Sequence, residues 1–255
     1  MIFLMYHELA LPGRELCQKA AGYARYVLPL DEFRSQVSFI RGQGFRVFNV
    51  GDGLSSTTTD RSLVLTFDDG CETDYLAAGP LLKEAGFGAT FYAVAGFIGH
   101  QGYMSASQLR ELWRMGFEIG CHSMTHPYLT DLNDDDLQME VVGAKSKLED
   151  LLGQPIHHFS CPGGRWNRRV VASVRAAGYL SLATSKAVEN HKDSDVFMLG
   201  RVAVQRAMQP EQFGRLCEGK TLLKLRGREA VLSASKTILG NSLYEKLRST
   251  LLGDS

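Results

Sequence analysis

Two short segments of this chain carry side chains suited to hydrolytic chemistry. Asp68 and Asp69 are adjacent carboxylates within residues 66–70, which read Thr-Phe-Asp-Asp-Gly. His122 and His126 stand four residues apart, and a proline follows them at once. Three of these groups could hold one divalent metal, which leaves one carboxylate free for proton transfer. The two segments therefore predict a metal-dependent hydrolytic site.

Both segments lie where a predicted strand ends. The apolar residues 63–67 predict a buried strand that leads into the carboxylates. In α/β folds, ligands bind beyond the carboxyl ends of the strands. Residues 117–119 predict another strand, and Gly120 and Pro127 then favour a turn over a helix for the two histidines. For the Asp-Asp-Gly segment alone, an ordinary turn is the alternative interpretation.

Strands and helices alternate along the chain. The predicted strands are Ile2–Met5, Arg46–Phe48, Leu63–Phe67, Ala89–Val94, Glu118–Gly120, His158–Ser160, Leu180–Ala183 and Val202–Val204. The predicted helices are Leu30–Gln43, Tyr75–Glu84, Ser105–Met115, Asp134–Leu151 and Arg168–Ala177. Four of these helices are followed by a glycine and then an aromatic residue, which is typical of a helix C-cap leading into the next strand. The repetition predicts an α/β fold in which a parallel sheet closes into a barrel with helices outside, without eight perfect units.

The composition fits one catalytic domain followed by a different carboxyl-terminal segment. The chain of 255 residues is 44% hydrophobic and has a formal net charge of zero, without a dense block of Lys and Arg, so we expect no nucleic-acid binding. We predict a barrel domain over residues 1–215 and an amphipathic helical extension over residues 216–255. We expect this basic, leucine-rich extension to pack against the barrel, and a peripheral contact with a membrane surface or a partner is the alternative.

The amino terminus and the cysteines predict a cytoplasmic protein, with membrane association through the extension as the alternative. The apolar residues 1–5 are interrupted by His7 and Glu8 and lack a basic region, so we expect a first strand and no signal peptide. No run approaches the roughly 18 apolar residues of a transmembrane helix. Five scattered cysteines fit reduced thiols better than disulfides. Because there is no Cys-x-x-Cys pair, we interpret the three beside the motifs (Cys71, Cys121 and Cys161) as small buried residues rather than metal ligands.

The motifs resemble those of the NodB-like polysaccharide deacetylases and occur in the same order. Residues 66–70 are similar to the first motif of that family, residues 120–127 to the second, and residues 161–164, Cys-Pro-Gly-Gly, to the third. Residues 5–7, Met-Tyr-His, resemble the opening strand of the subgroup that modifies exopolysaccharides. The resemblance covers residues 1–205. It implies a distorted (β/α) barrel, which we expect to contain about seven strands.

The resemblance also implies a role for each residue of the first two motifs. Asp69, His122 and His126 would bind a metal, usually Zn²⁺, and Asp68 would act as the general base. Three protein ligands leave a coordination position open, as a catalytic zinc site requires. The reaction would remove an acetyl group from an amide and give a free amine and acetate.

The third motif both matches and departs from the family pattern. The family uses a backbone N–H of this motif to stabilise the oxyanion, and Gly163 occupies that position, so Pro162, Gly163 and Gly164 form the expected oxyanion and substrate loop. A turn without that role is the alternative. The family's motif commonly begins with an Arg that pairs with the base, whereas this chain has Ser160. Arg165 could supply the missing charge.

The last motif of the family departs further. Where the family places a His as general acid, this chain has Arg201, which cannot exchange a proton but could stabilise charge. No Asp-Trp pair like that of the family's fourth motif is evident. His7 is our candidate for the general acid because it closes the first strand, and orienting a carboxylate or a metal ligand is its alternative role. Proton return by Asp68 itself would need no separate acid.

Three functions remain compatible with the sequence. The first is a metal-dependent hydrolase that removes N-acetyl groups from an amino sugar in a polysaccharide or its precursor. The second is a degenerate, non-catalytic carbohydrate-binding or assembly partner of a polysaccharide system, which the altered third and last motifs favour. The third is an amidohydrolase that acts on a non-sugar amide. The intact first and second motifs favour the first function.

Overall fold

The central feature of the fold is a curled sheet of parallel strands. A computed structural model describes residues 1–18, 22–58 and 60–227 of the chain. The sheet contains β1 (Ile2–Tyr6), β4 (Arg46–Phe48), β5 (Ser62–Phe67), β6 (Thr90–Ala93), β7 (Glu118–Cys121), β8 (His158–Ser160), β9 (Ser181–Ala183) and β10 (Val202–Ala203). Seven strands follow the order β10-β1-β5-β6-β7-β8-β9, and β4 pairs with β5. Two short strands, β2 (Leu9–Ala10) and β3 (Leu28–Pro29), form a separate parallel pair.

The segment before β10 brings the two edges of the sheet together. β10 pairs with β1, and Leu199, just ahead of β10, bridges Ala183 on β9. The Leu199 N–H also donates to Leu182 O at 3.0 Å. Every residue of β1 and β5 is buried, which is typical of parallel strands that are covered on both faces. The distorted (β/α) barrel predicted from the sequence is confirmed.

Helices alternate with the strands and cover the sheet. They are α1 (Leu30–Gly42), α2 (Val50–Ser55), α3 (Gly79–Ala85), α4 (Ala106–Arg114), α5 (Asp134–Gln138), α6 (Ala144–Leu152), α7 (Arg168–Ala176) and α8 (Pro210–Cys217). π-Helical turns precede α3, at Asp74–Ala78, and join α5 to α6, at Met139–Gly143. The ends of α4 follow from its sequence, because Ser105 and Gln108 form a capping box and Gly116, with φ of 95°, terminates the helix.

All eight predicted strands are present, each within one residue of its expected ends, and the five predicted helices are also present. The sequence did not indicate β2, β3, α2 or α8. Two-residue strands carry no periodicity to detect. Helix α2 contains Gly51 and Gly53, which lower helix propensity, yet a Cβ would lie 2.6 Å from Glu118 Oε1 at Gly51 and 2.5 Å from Val64 Cγ2 at Gly53. Close packing against the sheet therefore requires glycine at these two positions, and the two glycines weaken the helical pattern of the sequence.

The carboxyl-terminal part of the chain is only partly described. Helix α8 crosses the predicted boundary between residues 215 and 216, and residues 222–227 are also helical. The rest of the predicted extension, residues 228–255, lies outside the described residues, so the domain division stays a prediction. Within the described ranges, no helix has the length and apolar character needed to cross a membrane.

Candidate active site

The two carboxylates of the first motif stand at the carboxyl end of β5. The register of β1 with β5 places Tyr6 opposite Phe67, and the Asp68 N–H donates to Tyr6 O at 3.0 Å. Asp69 has a left-handed backbone with φ of 77°, and Gly70 continues the turn with φ of 75°. Both carboxylate residues are only 3% exposed. A sharp turn at the strand end thus holds two carboxylates away from solvent.

The two histidines of the second motif lie on a turn after β7, where the sequence placed them. His122 Nε2 is 3.6 Å from Asp69 Oδ1, and His126 Nε2 is 3.4 Å from the same oxygen. His122 Nδ1 lies 2.9 Å from Ser160 O, so Nδ1–H donates there and the lone pair of Nε2 faces Asp69. Ser123 and His126 have φ of 69° and 63°, and Ser123 Oγ accepts a hydrogen bond from the His126 N–H. The turn therefore directs both rings at one carboxylate.

The ionisation of these groups suits a bound cation. Burial lowers the pKa of His122 to about 3 and also lowers the pKa of His126, so both imidazoles are neutral and can act as ligands. Burial raises the pKa of Asp69 to about 6, and the negative charge of Asp68 adds to this effect. The donor atoms of Asp69, His122 and His126 lie within 4.8 Å of one another. Two neutral imidazoles and one carboxylate form a donor set that fits a divalent transition metal.

Asp68 forms an ion pair with a buried arginine that lies 133 residues further along the chain. Arg201 Nη1 donates to Asp68 Oδ1 at 2.7 Å, and Nη2 donates to Oδ2 at 2.8 Å. The other three N–H groups of Arg201 donate to Thr184 O, Thr66 Oγ1 and Ser160 Oγ. All five N–H groups of this guanidinium therefore have acceptors, although the residue is only 1% exposed.

The position of Arg201 accounts for the serine at the start of the third motif. Ser160 is fully buried, accepts a hydrogen bond from Arg201 Nη2 at 2.7 Å and lies 3.4 Å from Asp68 Oδ2. A guanidinium thus reaches Asp68 from position 201, and the small side chain at position 160 leaves room for it. Burial raises the pKa of Asp68, but the charge of Arg201 and its hydrogen bonds to Asp68 outweigh burial and hold this pKa well below its usual range. Asp68 is therefore ionised.

His7 follows β1 and lies near both carboxylates. Its ring stacks on Tyr26 with 5.0 Å between the ring centroids. An electrostatic contribution from His7 lowers the pKa of Asp68 and of Asp69. The buried Nδ1 atom of His7 has no hydrogen-bond partner among the described residues. Because buried polar atoms are nearly always hydrogen-bonded, this nitrogen is suited to form a hydrogen bond with a group that enters the site.

The Pro162–Gly164 loop follows β8 and requires both of its glycines. Gly163 and Gly164 have φ of 60° and 66°. A Cβ at Gly163 would lie 2.6 Å from the Tyr128 ring, and a Cβ at Gly164 would lie 2.1 Å from Ser185 Oγ. The backbone of this loop is therefore packed closely on both sides, in a conformation that favours glycine.

Arg165 lies at the edge of the same loop. Its guanidinium carbon is 3.5 Å from the centroid of the Tyr128 ring, within the range of a cation–π contact. Of the two arginines that we expected to stabilise charge, Arg201 is the one that the structure shows hydrogen-bonded to Asp68.

Two further side chains support the site and were not identified from the sequence. The Glu140 carboxylate accepts hydrogen bonds from Met124 N at 2.8 Å and Thr125 N at 2.9 Å, which holds the turn between the two histidines. Gln18 Nε2 donates to Asp69 Oδ2 at 3.3 Å. Glu140 lies on the buried face of its helical stretch, so the helical pattern could have identified it as a buried carboxylate. No pattern near Gln18 predicts its contact with a residue 51 positions away.

Comparisons with known proteins agree with this geometry. Residues 55–182, half of the chain, match the family described as Polysaccharide deacetylase. The chain is 26% identical over 220 residues to "Putative polysaccharide deacetylase YxkH" of Bacillus subtilis, across 84% of this chain and 75% of that protein. It is 29% identical to the peptidoglycan-N-acetylglucosamine deacetylase of Bacillus cereus and to a chitooligosaccharide deacetylase of Azorhizobium caulinodans. These two matches cover 49% and 51% of this chain, and 57% and 60% of those relatives.

Solved structures share the fold. The Streptococcus pyogenes deacetylase PplD in complex with acetate has a TM-score of 0.74 at 21% identity, with coverage of 85% of this chain and 97% of that one. IcaB from Ammonifex degensii has a TM-score of 0.70 at 22% identity, with coverage of 86% and 95%. The barrel, the order of the motifs and the family match lead to one conclusion. The chain belongs to the polysaccharide deacetylase family.

Proposed function

We propose that this protein is a Zn²⁺-dependent hydrolase that removes N-acetyl groups from an amino sugar in a polysaccharide or its precursor. The observation that carries the proposal is the paired contact of Arg201 with Asp68, beside the convergence of Asp69, His122 and His126. The altered third and last motifs are the sequence features that favour a non-catalytic relative. The geometry supports catalysis instead, because the charge expected beside the base is present and comes from Arg201, the residue before β10.

Each group of the site has a task that its surroundings suit. Asp69, His122 and His126 would hold the metal, which when bound supplies Lewis-acid polarisation of the acetamide carbonyl and acidifies water. Asp68, kept ionised by Arg201, is the proton acceptor in our proposal. The backbone of the Pro162–Gly164 loop would stabilise developing negative charge on the carbonyl oxygen.

The leaving nitrogen also needs a proton. His7 supports this step best, because its Nδ1 is buried, has no partner among the residues described, and lies near the carboxylates. Proton return by Asp68, after it has accepted a proton from water, would meet the same need without a separate acid.

The substrate class is inferred from relatives. Two of them are named for N-acetylglucosamine in peptidoglycan and for chitooligosaccharide, and both names describe glycans with N-acetylated amino sugars. We propose the same class of substrate for this chain. N-acetylglucosamine oligomers are the substrates that we propose to test first.

The experiment measures acetate release by the full chain after metal content has been determined. We expect release from N-acetylglucosamine oligomers, loss of release after chelation, and recovery with Zn²⁺. The Asp68→Asn variant should retain the metal and lose activity, since its amide cannot accept the proton. Metal-loaded protein that binds these oligomers and releases no acetate would support the binding role. Acetate release from simple acetamides and not from glycans would support the non-sugar amidohydrolase.

A further inference from the structure

A second cluster of metal-ligating side chains lies next to the proposed catalytic site. Glu8 follows β1, Cys71 follows Gly70 in the first motif, and Cys17 lies in the connection between β2 and β3. One carboxylate oxygen of Glu8 and the two sulfur atoms lie within 4.8 Å of one another. Glu8 is 2% exposed and Cys71 is fully buried. Two stretches distant in sequence, residues 8–17 and the turn after β5, therefore place two thiols and a carboxylate together.

A buried carboxylate on the turn that carries Cys71 has no hydrogen-bond partner among the residues that the structure describes. Asp74 is fully buried, and neither of its carboxylate oxygens has a hydrogen-bond partner within the described ranges. It lies on the same turn as Cys71, where the Asp74 N–H donates to Cys71 O at 3.0 Å. Burial raises its pKa well above the usual range. An unpaired buried carboxyl is costly, and a nearby cation would remove that cost.

Both thiols already contact other protein groups, and a bound cation would take the place of some of these contacts. Cys71 Sγ lies 3.6 Å from Tyr23 Oη, and Cys17 Sγ donates to Gly102 O at 2.8 Å. The Cys17 N–H is shared by both oxygens of Glu8, at 3.0 and 3.1 Å. Thiolates must form before they ligate, so binding would release both thiol protons to solvent.

We propose that Glu8, Cys17 and Cys71 bind a second, thiophilic divalent cation such as Zn²⁺, with the fourth position open to Asp74, whose carboxylate lies outside the 4.8 Å cluster and would have to move to reach the cation. Two thiolates and two carboxylates satisfy the tetrahedral preference of Zn²⁺. Thiolate donors also discriminate against Mg²⁺ and Ca²⁺, which prefer oxygen alone. The expectation from the sequence that Cys71 is only a small buried residue is replaced by this proposal, since its partner Cys17 lies 54 positions away and no short spacing could reveal the pair.

The second cation would fasten one loop segment against the catalytic site. Residues 14–18, which we call the strap, include Cys17 and also Gln18, whose side chain donates to the catalytic-site residue Asp69 at 3.3 Å. Arg14 at the other end of the strap forms an ion pair with Glu72. A cation on Cys17 and Cys71 would add a third attachment, between the strap and the first motif. The site is therefore a structural cation site that positions the strap.

The test counts cations and identifies their ligands in the full chain, purified anaerobically with a phosphine reductant. We expect about two Zn²⁺ per chain by plasma mass spectrometry, and about one in each single-site variant. The Cys17→Ser and Cys71→Ser variants should lose the second cation, and His126→Ala should lose the catalytic one. Cys217→Ala, which changes a buried cysteine on α8, serves as the matched control and should keep both.

Cd²⁺ or Co²⁺ substitution separates this site from the catalytic one. The Asp69–His122–His126 set contains no sulfur, so a thiolate-to-metal charge-transfer band reports the second site alone. We expect the band in the unmodified chain and in His126→Ala, and its loss in Cys17→Ser. One cation per chain without this band, with both thiols free by titration, would overturn the proposal and leave the catalytic metal untouched. A Cys17–Cys71 disulfide that persists under these reducing conditions would overturn it as well.

Discussion

Replacement of Arg201 by methionine should cost more stability than almost any other single change at the site. The variant removes two hydrogen bonds to the Asp68 carboxylate and three to Thr184, Thr66 and Ser160. It leaves a buried carboxylate without its charge partner, which costs roughly 3–5 kcal/mol. For a domain of this size, each kcal/mol lowers Tm by roughly 2–4 °C. We therefore expect the melting temperature of Arg201→Met to fall by about 6–20 °C.

The same substitution should also change the pH dependence of acetate release. The charge of Arg201 holds the pKa of Asp68 down, while burial pushes it up. When the guanidinium is removed, burial remains and the pKa of Asp68 rises, so the protonated, inactive form persists to higher pH. We expect the acid limb of the rate profile to move to higher pH, and a rate loss on the order of 10²-fold or more near neutral pH.

Two variants test the proposed role of the Arg201–Asp68 pair. Arg201→Lys keeps the charge but offers three donors in place of five, so it should lie between the wild type and Arg201→Met in both measurements. The double variant Ser160→Arg with Arg201→His moves the guanidinium to the position that the family commonly uses, and should recover part of the lost stability. An Arg201→Met protein with unchanged Tm and an unchanged pH profile would refute the proposed role of this pair.

Three further predictions follow from the same geometry. Because burial raises the pKa of Asp69 to about 6 in the metal-free site, protons should compete with the catalytic metal below that value, and metal content after dialysis at a series of pH values should fall as the pH drops below 6. Gly164→Ala places a Cβ 2.1 Å from Ser185 Oγ at φ of 66°, whereas Gly86→Ala has φ of 73° and nothing within 4 Å; we expect Gly164→Ala to be the more destabilising by roughly 1–3 kcal/mol in chemical denaturation. His7→Gln should lower kcat by roughly 10²-fold while the cation count stays unchanged, and equal loss of metal and activity would instead assign His7 to the metal site's support.

Much of the fold was predictable because its information is local. Strand and helix positions follow from apolar patterns within ten to fifteen residues, and glycine C-caps such as Gly116 end the helices where the sequence placed them. The missed elements have two different causes. Helix α2 carries two glycines because the sheet approaches it closely, and β2 and β3 are two residues long and leave no pattern to read.

The site was predictable only in part, because its remaining contacts join distant segments. The carboxylates and histidines each occupy a short motif, whereas the contact of Arg201 with Asp68 spans 133 residues. Gln18 reaches Asp69 from a loop with no regular pattern. Barrel closure brings such segments together. The spacing of residues along the chain does not predict which side chains will then contact the two carboxylates.

The exchange at positions 160 and 201 has a consequence for proton transfer. The base needs a planar fork of donors at its two oxygens, and Arg201 provides it with distances of 2.7 and 2.8 Å. The same residue then fills the place where the family has its acid, so the proton for the leaving nitrogen must come from another group. His7 meets that need in our proposal, directly after β1, the strand that pairs with β5. In the background of Ser160→Arg with Arg201→His, the new histidine can share the task, so His7→Gln should cost less activity there than in the unmodified chain. An equal cost in both backgrounds would show that His7 positions the carboxylates and does not deliver the proton.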